Sequence, residues 1–131
     1  MDVCYIISMK FVKNLENEKK LYSNHRSEPY FTYVKNGQKT VEGRLFKGLY
    51  TEVKTGDHIE IQTENEKESF VVEVVGVNQH ESFKELLEKE SLKKVLPNAE
   101  TIEEGIEIYR QFYTEEQEKE YGVVGIEVRV L

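Results

Sequence analysis

Four side chains with complementary chemistry fall within residues 39–44 of this chain: Lys39, Thr40, Glu42 and Arg44. A lysine whose pKa is lowered by burial can activate a hydroxyl group. A carboxylate can act as a general base or accept a hydrogen bond from a nucleobase amino group. An arginine can clamp a phosphate or a carboxylate. This segment therefore holds the best candidates for chemistry in the sequence.

The same segment has the pattern of a strand with one face in a core. Side chains alternate between the faces of a strand, so Thr40, Glu42 and Arg44 would project from one face and Val41 from the other. We expect Lys39, Glu42 and Arg44 to line one concave surface with their charged ends in solvent, because burial of an unpaired charge is costly. Alternatively, Glu42 and Arg44 form an ion pair on a solvated face, which has little functional significance.

Around this segment, stretches with the apolar spacing of strands alternate with stretches that have the apolar spacing of helices. This pattern predicts a fold of mixed strands and helices. A short helix is expected before the segment, with Ser27 as its N-cap and Gly37 at its C-terminal end. Because most strands return on their neighbours while the helices stay apart from them, the order predicts an α+β barrel. The strands are predicted over residues 3–12, 20–26, 39–46, 58–62, 70–77 and 122–131.

Two capping boxes predict helices in the second half of the chain. Ser82 with Glu85 begins one helix, and Thr101 with Glu104 begins another. A short helical turn that ends at Pro97 is expected between them. The apolar faces of the two helices are predicted to bury Phe83, Leu86 and Leu87 in the first, and Ile102, Ile106, Tyr109 and Tyr113 in the second.

The composition indicates one domain in a reducing compartment. The chain has 131 residues and a single cysteine, Cys4, which forms no internal disulfide and is typical of a small core residue rather than a nucleophile. It contains no 18-residue apolar run, and its start lacks the basic region of a signal peptide. We therefore expect a cytoplasmic protein that does not associate with membranes.

The charge distribution is uneven. The formal net charge is −7, which argues against coating of long nucleic acids by bulk attraction. Residues 1–54 nevertheless hold 10 Lys or Arg against 6 Asp or Glu, whereas residues 55–131 hold 8 against 19. The basic half includes the candidate segment, which is compatible with a local anionic or nucleotide ligand. The acidic half could equally serve solubility alone.

Other chemical motifs are missing from the sequence. The histidines, His25, His58 and His80, have no metal-ligand spacing, and no glycine-rich phosphate loop or Gly-x-Ser-x-Gly elbow is present. We expect no metal and no cofactor. A run of aromatic residues at helical spacing is typical of a core, although one or two of its rings could line a base-stacking pocket. These residues are Tyr109, Phe112, Tyr113 and Tyr121.

The order of several short motifs resembles the ASCH domain (activating signal cointegrator homology), a relative of the PUA domains. The motifs include Glu-Pro-Tyr at 28–30, Lys-Thr-Val-Glu-Gly-Arg-Leu at 39–45, Thr-Gly-Asp at 55–57 and the ending Tyr-Gly-Val-Val-Gly-Ile at 121–126. The resemblance covers residues 20–131, and residues 1–19 fall outside it as an N-terminal extension or an extra strand. It implies a PUA-like β-pseudo-barrel with surrounding helices and a cleft lined by the Gly-x-Lys-x-x-Glu-x-Arg segment.

The resemblance also bears on function. It implies RNA binding, and some small bacterial relatives hydrolyse N4-acetylcytidine with a lysine and a threonine from a Lys-Thr-x-Thr segment. Lys39 matches that lysine and Thr40 matches the first threonine. Glu42, however, stands where the nucleophilic threonine should be.

Our first hypothesis is an RNA- or nucleotide-binding module, with RNA or a small nucleoside or nucleotide as its ligand. Its ligand-binding residues would be Lys39, Thr40, Glu42, Arg44 and Arg26. A second hypothesis is an amidohydrolase or nuclease acting on modified nucleosides or RNA, with Lys39 and Glu42 as a catalytic acid–base pair. A third is a protein-interaction adaptor that uses its acidic helices.

Overall fold

The computed structural model describes residues 9–131 of the chain. Six strands form one sheet in the spatial order β1-β2-β4-β5-β6-β3. All neighbours are antiparallel except β2 and β4, which run parallel. Cys4 and residues 3–8 of the first predicted strand lie outside the described residues. The strands are β1 (Met9–Asn14), β2 (Lys20–His25), β3 (Val41–Leu45), β4 (His58–Gln62), β5 (Ser69–His80) and β6 (Val123–Val130).

Of the five α-helices in residues 9–131, four lie in the long connection between β5 and β6, and α1 precedes β3. Both predicted N-caps in this connection are confirmed, because Ser82 Oγ accepts from the Glu85 N–H and Thr101 Oγ1 from the Glu104 N–H. The helices are α1 (Tyr30–Lys35), α2 (Phe83–Glu90), α3 (Leu92–Val95), α4 (Ile102–Arg110) and α5 (Glu115–Tyr121).

Two helix starts differ from the predictions. Helix α1 begins after Pro29 rather than with Ser27 as N-cap, and the Glu28 carboxylate accepts from the Thr32 N–H at 3.0 Å. Glu28 thus supplies the acceptor that was assigned to Ser27. Helix α5 was not predicted, although Thr114 and Gln117 form a complete capping box. The sequence signal for this helix is a capping box whose fourth residue is glutamine, Gln117, instead of glutamate.

The curvature of the sheet brings the end of β2, the second strand from one edge, to β3, the strand at the opposite edge. Arg26 directly follows β2, and Glu42 lies on β3, the edge strand at the far end of the sheet order. The Arg26 Nε nevertheless lies 3.3 Å from Glu42 Oε1. This contact is possible only because the sheet curls on itself, so the predicted α+β pseudo-barrel with surrounding helices is confirmed.

Two apolar clusters stabilise the pseudo-barrel. The first lies inside the curved sheet and includes Tyr22, Ile61 and Val74. The second lies between β3 and helices α2–α4 and includes Phe83 and Leu86. Burial of these side chains supplies the main driving force for folding. Along β6, the residues from Val123 to Ile126 and Val128 are buried, whereas Val130 at the end of the strand is 37% exposed.

Helix α4 packs more closely than its sequence predicts. Tyr109 is buried, but Ile102 and Ile106 are only partly buried, contrary to expectation. The centre of the contact is Gly105 instead, where a Cβ atom would lie 2.7 Å from Leu87 Cδ1. The helix thus approaches α2 through a residue without a side chain, which moves its isoleucines to the margin of the interface.

This close approach predicts that Gly105→Ala destabilises the fold. Overpacking of this kind costs about 1–3 kcal/mol in the free energy of unfolding. At an exposed helical position the same change would stabilise by about 1 kcal/mol, so the sign is diagnostic. Equilibrium unfolding in urea measures it, with Glu107→Ala on the exposed face of α4 as the control. A stabilising Gly105→Ala would contradict the packing described here.

Candidate functional site

Three cations and one carboxylate meet where β2 and β3 approach each other. Arg26 follows β2, Lys39 precedes β3, and Glu42 and Arg44 are two residues apart on β3, so they share one face. All four line one cavity. The structure therefore brings together four of the five ligand-binding candidates, including the three that were expected to share a concave surface.

These four side chains are buried, which corrects the expectation that their charged ends lie in solvent. Arg26, Lys39, Glu42 and Arg44 are only 4–8% exposed. Every residue of β3 is buried, because the apolar face packs in the second cluster while the polar face is covered by the walls of the cavity. The interpretation as a solvated surface ion pair is therefore also wrong.

Glu42 is the counter-ion of all three cations. Its Oε1 lies 3.3 Å from Arg26 Nε and 3.7 Å from Lys39 Nζ, and its Oε2 lies 3.3 Å from an Arg44 guanidinium nitrogen. Burial alone would raise the pKa of Glu42, but the three cations outweigh it and lower the pKa to about 2. Glu42 is therefore ionised at neutral pH and is a weak base.

Lys39 is fixed by backbone carbonyl groups. Its Nζ donates to Val41 O at 2.9 Å and to Val95 O, and it lies 5.8 Å from the centre of the Tyr30 ring. Burial lowers the pKa of Lys39 to about 8, against the opposing effect of Glu42. Lys39 is thus mostly protonated at neutral pH, although it loses its proton more readily than an exposed lysine.

The two arginines are oriented by a polar chain that the sequence analysis did not find. Arg44 Nε donates to the Tyr50 hydroxyl at 3.1 Å, and Asn24 Nδ2 donates to the same hydroxyl at 3.4 Å. Arg26 donates to Asn24 Oδ1 at 3.5 Å. Each arginine bonds a residue near it in sequence, but the Asn24–Tyr50 bond that joins the two pairs spans 26 residues, so no local pattern indicated the chain. Burial lowers the pKa of Arg26, but an arginine remains protonated in proteins.

The cluster carries an excess of two positive charges and several polar atoms that complete no hydrogen bond. Three cations face one anion, and the neighbouring Tyr109 and Tyr113 stay neutral because burial raises the pKa of both hydroxyls. Within the described part of the chain, Arg26 Nε and Nη1, Arg44 Nη2 and Glu42 Oε1 are buried and complete no hydrogen bond, and of these Arg26 Nε, Arg44 Nη2 and Glu42 Oε1 make only the ion-pair contacts given above. Buried polar groups of this kind call for a polar ligand or water.

The walls of the cavity are aromatic and apolar. Tyr109 and Tyr113 line the cavity and stack on Phe83. The centres of their rings lie 4.1 and 5.3 Å, respectively, from the centre of the Phe83 ring. Tyr30 and Phe112 are partly buried and also line the cavity, whose volume is about 40 Å³. This space is sufficient for a small polar group, since one water needs about 10–15 Å³. The remaining aromatic candidate, Tyr121, packs under Lys47 instead.

Thr40 does not belong to this site. It lies before β3 and lines a separate depression beside Val128 and Arg129. Its backbone N–H donates to Lys94 O at 3.0 Å, and its carbonyl accepts from the Val128 N–H at 2.9 Å. The prediction placed Thr40 on the same strand face as Glu42 and Arg44. It is wrong because β3 begins only at Val41, one residue later.

Gly43 is a further residue that the sequence analysis did not assign to the site. A Cβ atom at this position would lie 2.5 Å from Leu86 Cδ2, so α2 packs directly on the backbone of β3 between Glu42 and Arg44.

In residues 9–131 no group of three or more His, Cys, Asp or Glu side chains is placed to hold a metal ion. No helix in the same residues has the length and apolar character needed to cross a membrane.

A family model of the ASCH domain matches residues 25–131, which include all four residues of the cluster. The chain belongs to the ASCH domain family. Membership supports a general role as an RNA-binding module. No curated protein matches the chain.

Two solved structures resemble this ASCH domain in sequence as well as in fold. The hypothetical protein PH0355 is 42% identical, with a TM-score of 0.76, and the match covers 83% of this chain and 97% of that one. The protein PF0455 from Pyrococcus furiosus is 40% identical, with a TM-score of 0.70, covering 85% and 97%. An ASCH domain from Lactobacillus crispatus shares the fold at 15% identity, with a TM-score of 0.53, covering 76% and 68%.

The buried position of Lys39 predicts a specific pH dependence of stability. The unfolded chain keeps the lysine proton up to about pH 10.5, whereas the folded chain loses it near pH 8. The unfolded state binds more protons in this window, so stability rises with pH. The unfolding free energy of the wild type, relative to Lys39→Met, should rise by about 2 kcal/mol between pH 8 and pH 10.

Urea unfolding of both proteins across this range measures the difference, because ionisation of the tyrosines affects both alike. Lys35→Met, at an exposed lysine, is the matched control and should follow the wild type. A pH-independent difference between the wild type and Lys39→Met would show that Lys39 is not desolvated.

Proposed function

We propose that this ASCH domain binds RNA or a nucleotide by placing an anionic group in the cavity formed by Arg26, Lys39, Glu42 and Arg44. The observation that carries the proposal is the excess of two positive charges on buried side chains. Buried cations without full compensation are unfavourable in an empty site, and an anion relieves this cost.

The local charge explains how an acidic protein can bind an anion. The net charge of −7 acts at long range and is screened by salt, with a Debye length of about 8 Å at physiological ionic strength. The cavity charges act at contact distance and in a medium of low effective dielectric constant, where their attraction is much stronger. Binding should therefore be local, involving few phosphates, rather than spread over a long nucleic acid.

The aromatic walls suit the part of the ligand that carries no charge. Tyr30 and Phe112 lie at partly buried positions of the cavity, where a ring can stack on a nucleobase. Base–aromatic stacking contributes about 1–3 kcal/mol per base in single-stranded nucleic-acid binding. A charged interior with aromatic walls thus fits one nucleotide better than a base-paired helix.

A hydrolase is the second candidate function, and Lys39 is the observation that favours it. A buried lysine with a pKa near 8 is a candidate for proton transfer near neutral pH. Glu42 does not suit the role of general base that the sequence suggested, since its pKa is about 2. In a hydrolase that uses this site, Lys39 would take up and return the proton transferred in the reaction. Glu42 would hold the lysine and the arginines in position.

The salt dependence of RNA binding tests the first function. The affinity for a single-stranded RNA of roughly ten nucleotides should fall as salt rises, with a small slope that reports the few phosphates neutralised. Arg44→Ala should lower this slope by about one unit if Arg44 contacts a phosphate. Fluorescence anisotropy at several salt concentrations measures both slopes.

Arg129→Ala is the matched control for this experiment, because Arg129 is an exposed arginine that pairs with Glu73. It should leave the slope unchanged, and circular dichroism should establish that each variant is folded. An affinity that is independent of salt and unaffected by Arg44→Ala would overturn the binding mode proposed here.

A hydrolysis assay separates the two functions. The relatives with N4-acetylcytidine hydrolase activity use a hydroxyl at the position of Glu42, and Thr40 lies outside this cavity. We therefore expect weak or absent release of cytidine from N4-acetylcytidine by the wild type, as measured by chromatography. Robust turnover that is lost in Lys39→Ala would instead establish the hydrolase, with Glu42→Gln reporting whether the carboxylate is also required.

A further inference from the structure

We propose that the cavity selects a terminal phosphomonoester, at the end of an RNA strand or on a free mononucleotide, over an internal phosphodiester. This inference rests on the proposed nucleotide-binding function and specifies which phosphate enters the site.

The charges of the cluster match a monoester better than a diester. The three cations Arg26, Lys39 and Arg44 outnumber the single anion Glu42, so the cluster has two uncompensated positive charges. A phosphomonoester carries about −1.5 to −2 at neutral pH, whereas an internal phosphodiester carries a single negative charge. A monoester therefore neutralises the buried cluster nearly completely, while a diester leaves an uncompensated positive charge at a site with little access to solvent.

The guanidinium donors of the cluster match the acceptors of a terminal phosphate. Arg26 Nε and Nη1 and Arg44 Nη2 are buried nitrogens that complete no hydrogen bond among the described residues, although Arg26 Nε and Arg44 Nη2 each lie 3.3 Å from a Glu42 carboxylate oxygen. A terminal phosphate has three peripheral oxygens that accept strong hydrogen bonds, and guanidinium groups bind them in a fork geometry. An internal phosphodiester has only two such oxygens, since the other two carry sugars.

The shape of the cavity favours an end-on approach. The charged groups are at most 8% exposed, whereas Tyr30, Ile108 and Phe112 on the same cavity are partly buried and mark its mouth. The volume of about 40 Å³ has room for a phosphoryl group but not for the two sugars that flank an internal phosphate. A terminal phosphate needs only one substituent to leave through the mouth.

Binding of one RNA sequence with different ends tests the inference on the unmodified protein. The probes are the same oligonucleotide with a 5′-phosphate, with a 3′-phosphate and with hydroxyl groups at both ends, at constant ionic strength. Cytidine, cytidine monophosphate and inorganic phosphate serve as competitors. We expect at least one phosphorylated end to bind about tenfold or more tightly than the hydroxyl form, a difference of about 1.4 kcal/mol.

The competitors separate the two sources of the phosphate. If cytidine monophosphate binds and no oligonucleotide does, the ligand is a free mononucleotide and the inference stands. Equal affinity for all three oligonucleotides would overturn the inference and leave RNA binding intact. Failure of every probe to bind would overturn the proposed function itself.

Two variants of the cluster give opposite results if the inference is correct. Arg26→Gln removes one positive charge and two of the three buried guanidinium nitrogens that complete no hydrogen bond, and it should abolish the preference for a phosphorylated end, whereas Arg129→Gln at the surface should keep it. Glu42→Gln removes the competing negative charge and should maintain or increase the preference. A loss of preference in a folded Glu42→Gln protein would contradict the inference, and the wild-type comparison decides the matter if this variant fails to fold.

Discussion

The Glu42 carboxylate is the interaction on which the rest of the structure depends. It is the shared counter-ion of Arg26, which follows β2, and of Lys39 and Arg44, which belong to the β3 side of the curved sheet. Three buried cations without this anion would repel one another and force β2 and β3 apart. The same carboxylate that closes the pseudo-barrel thus also sets the charge of the cavity. For this reason, removal of one member of a buried ion network is strongly destabilising. The intact network as a whole contributes only modestly to the stability of the fold.

Much of the fold follows from local patterns in the sequence. The strand at residues 58–62 and the N-caps Ser82 and Thr101 coincide with the structure, because alternation and capping depend on neighbours within a few residues. The grouping of Lys39, Glu42 and Arg44 was also predictable, since one short segment carries all three. The order of motifs identified the family for the same reason.

What the sequence did not predict depends on contacts between distant segments. The polar face of β3 is buried because walls from helices far along the chain cover it, and no pattern within residues 39–45 encodes that cover. Gly105 allows α4 to pack on Leu87, and nothing in the neighbouring sequence indicates this close approach. Asn24 and Tyr50 likewise bond each other only after β2 and the segment after β3 have come together. Propensity and periodicity carry no information about such approaches.

The aromatic walls give the protein an intrinsic optical signal. The chain has no tryptophan, so its near-ultraviolet emission comes from eight tyrosines, of which Tyr30, Tyr109 and Tyr113 line the cavity. Tyr109 and Tyr113 are rigidly stacked on Phe83, which places their transition dipoles in a chiral and fixed environment. Occupation of the cavity therefore changes the light emitted and absorbed by the unlabelled molecule, and the fluorophores that report it are part of the walls themselves.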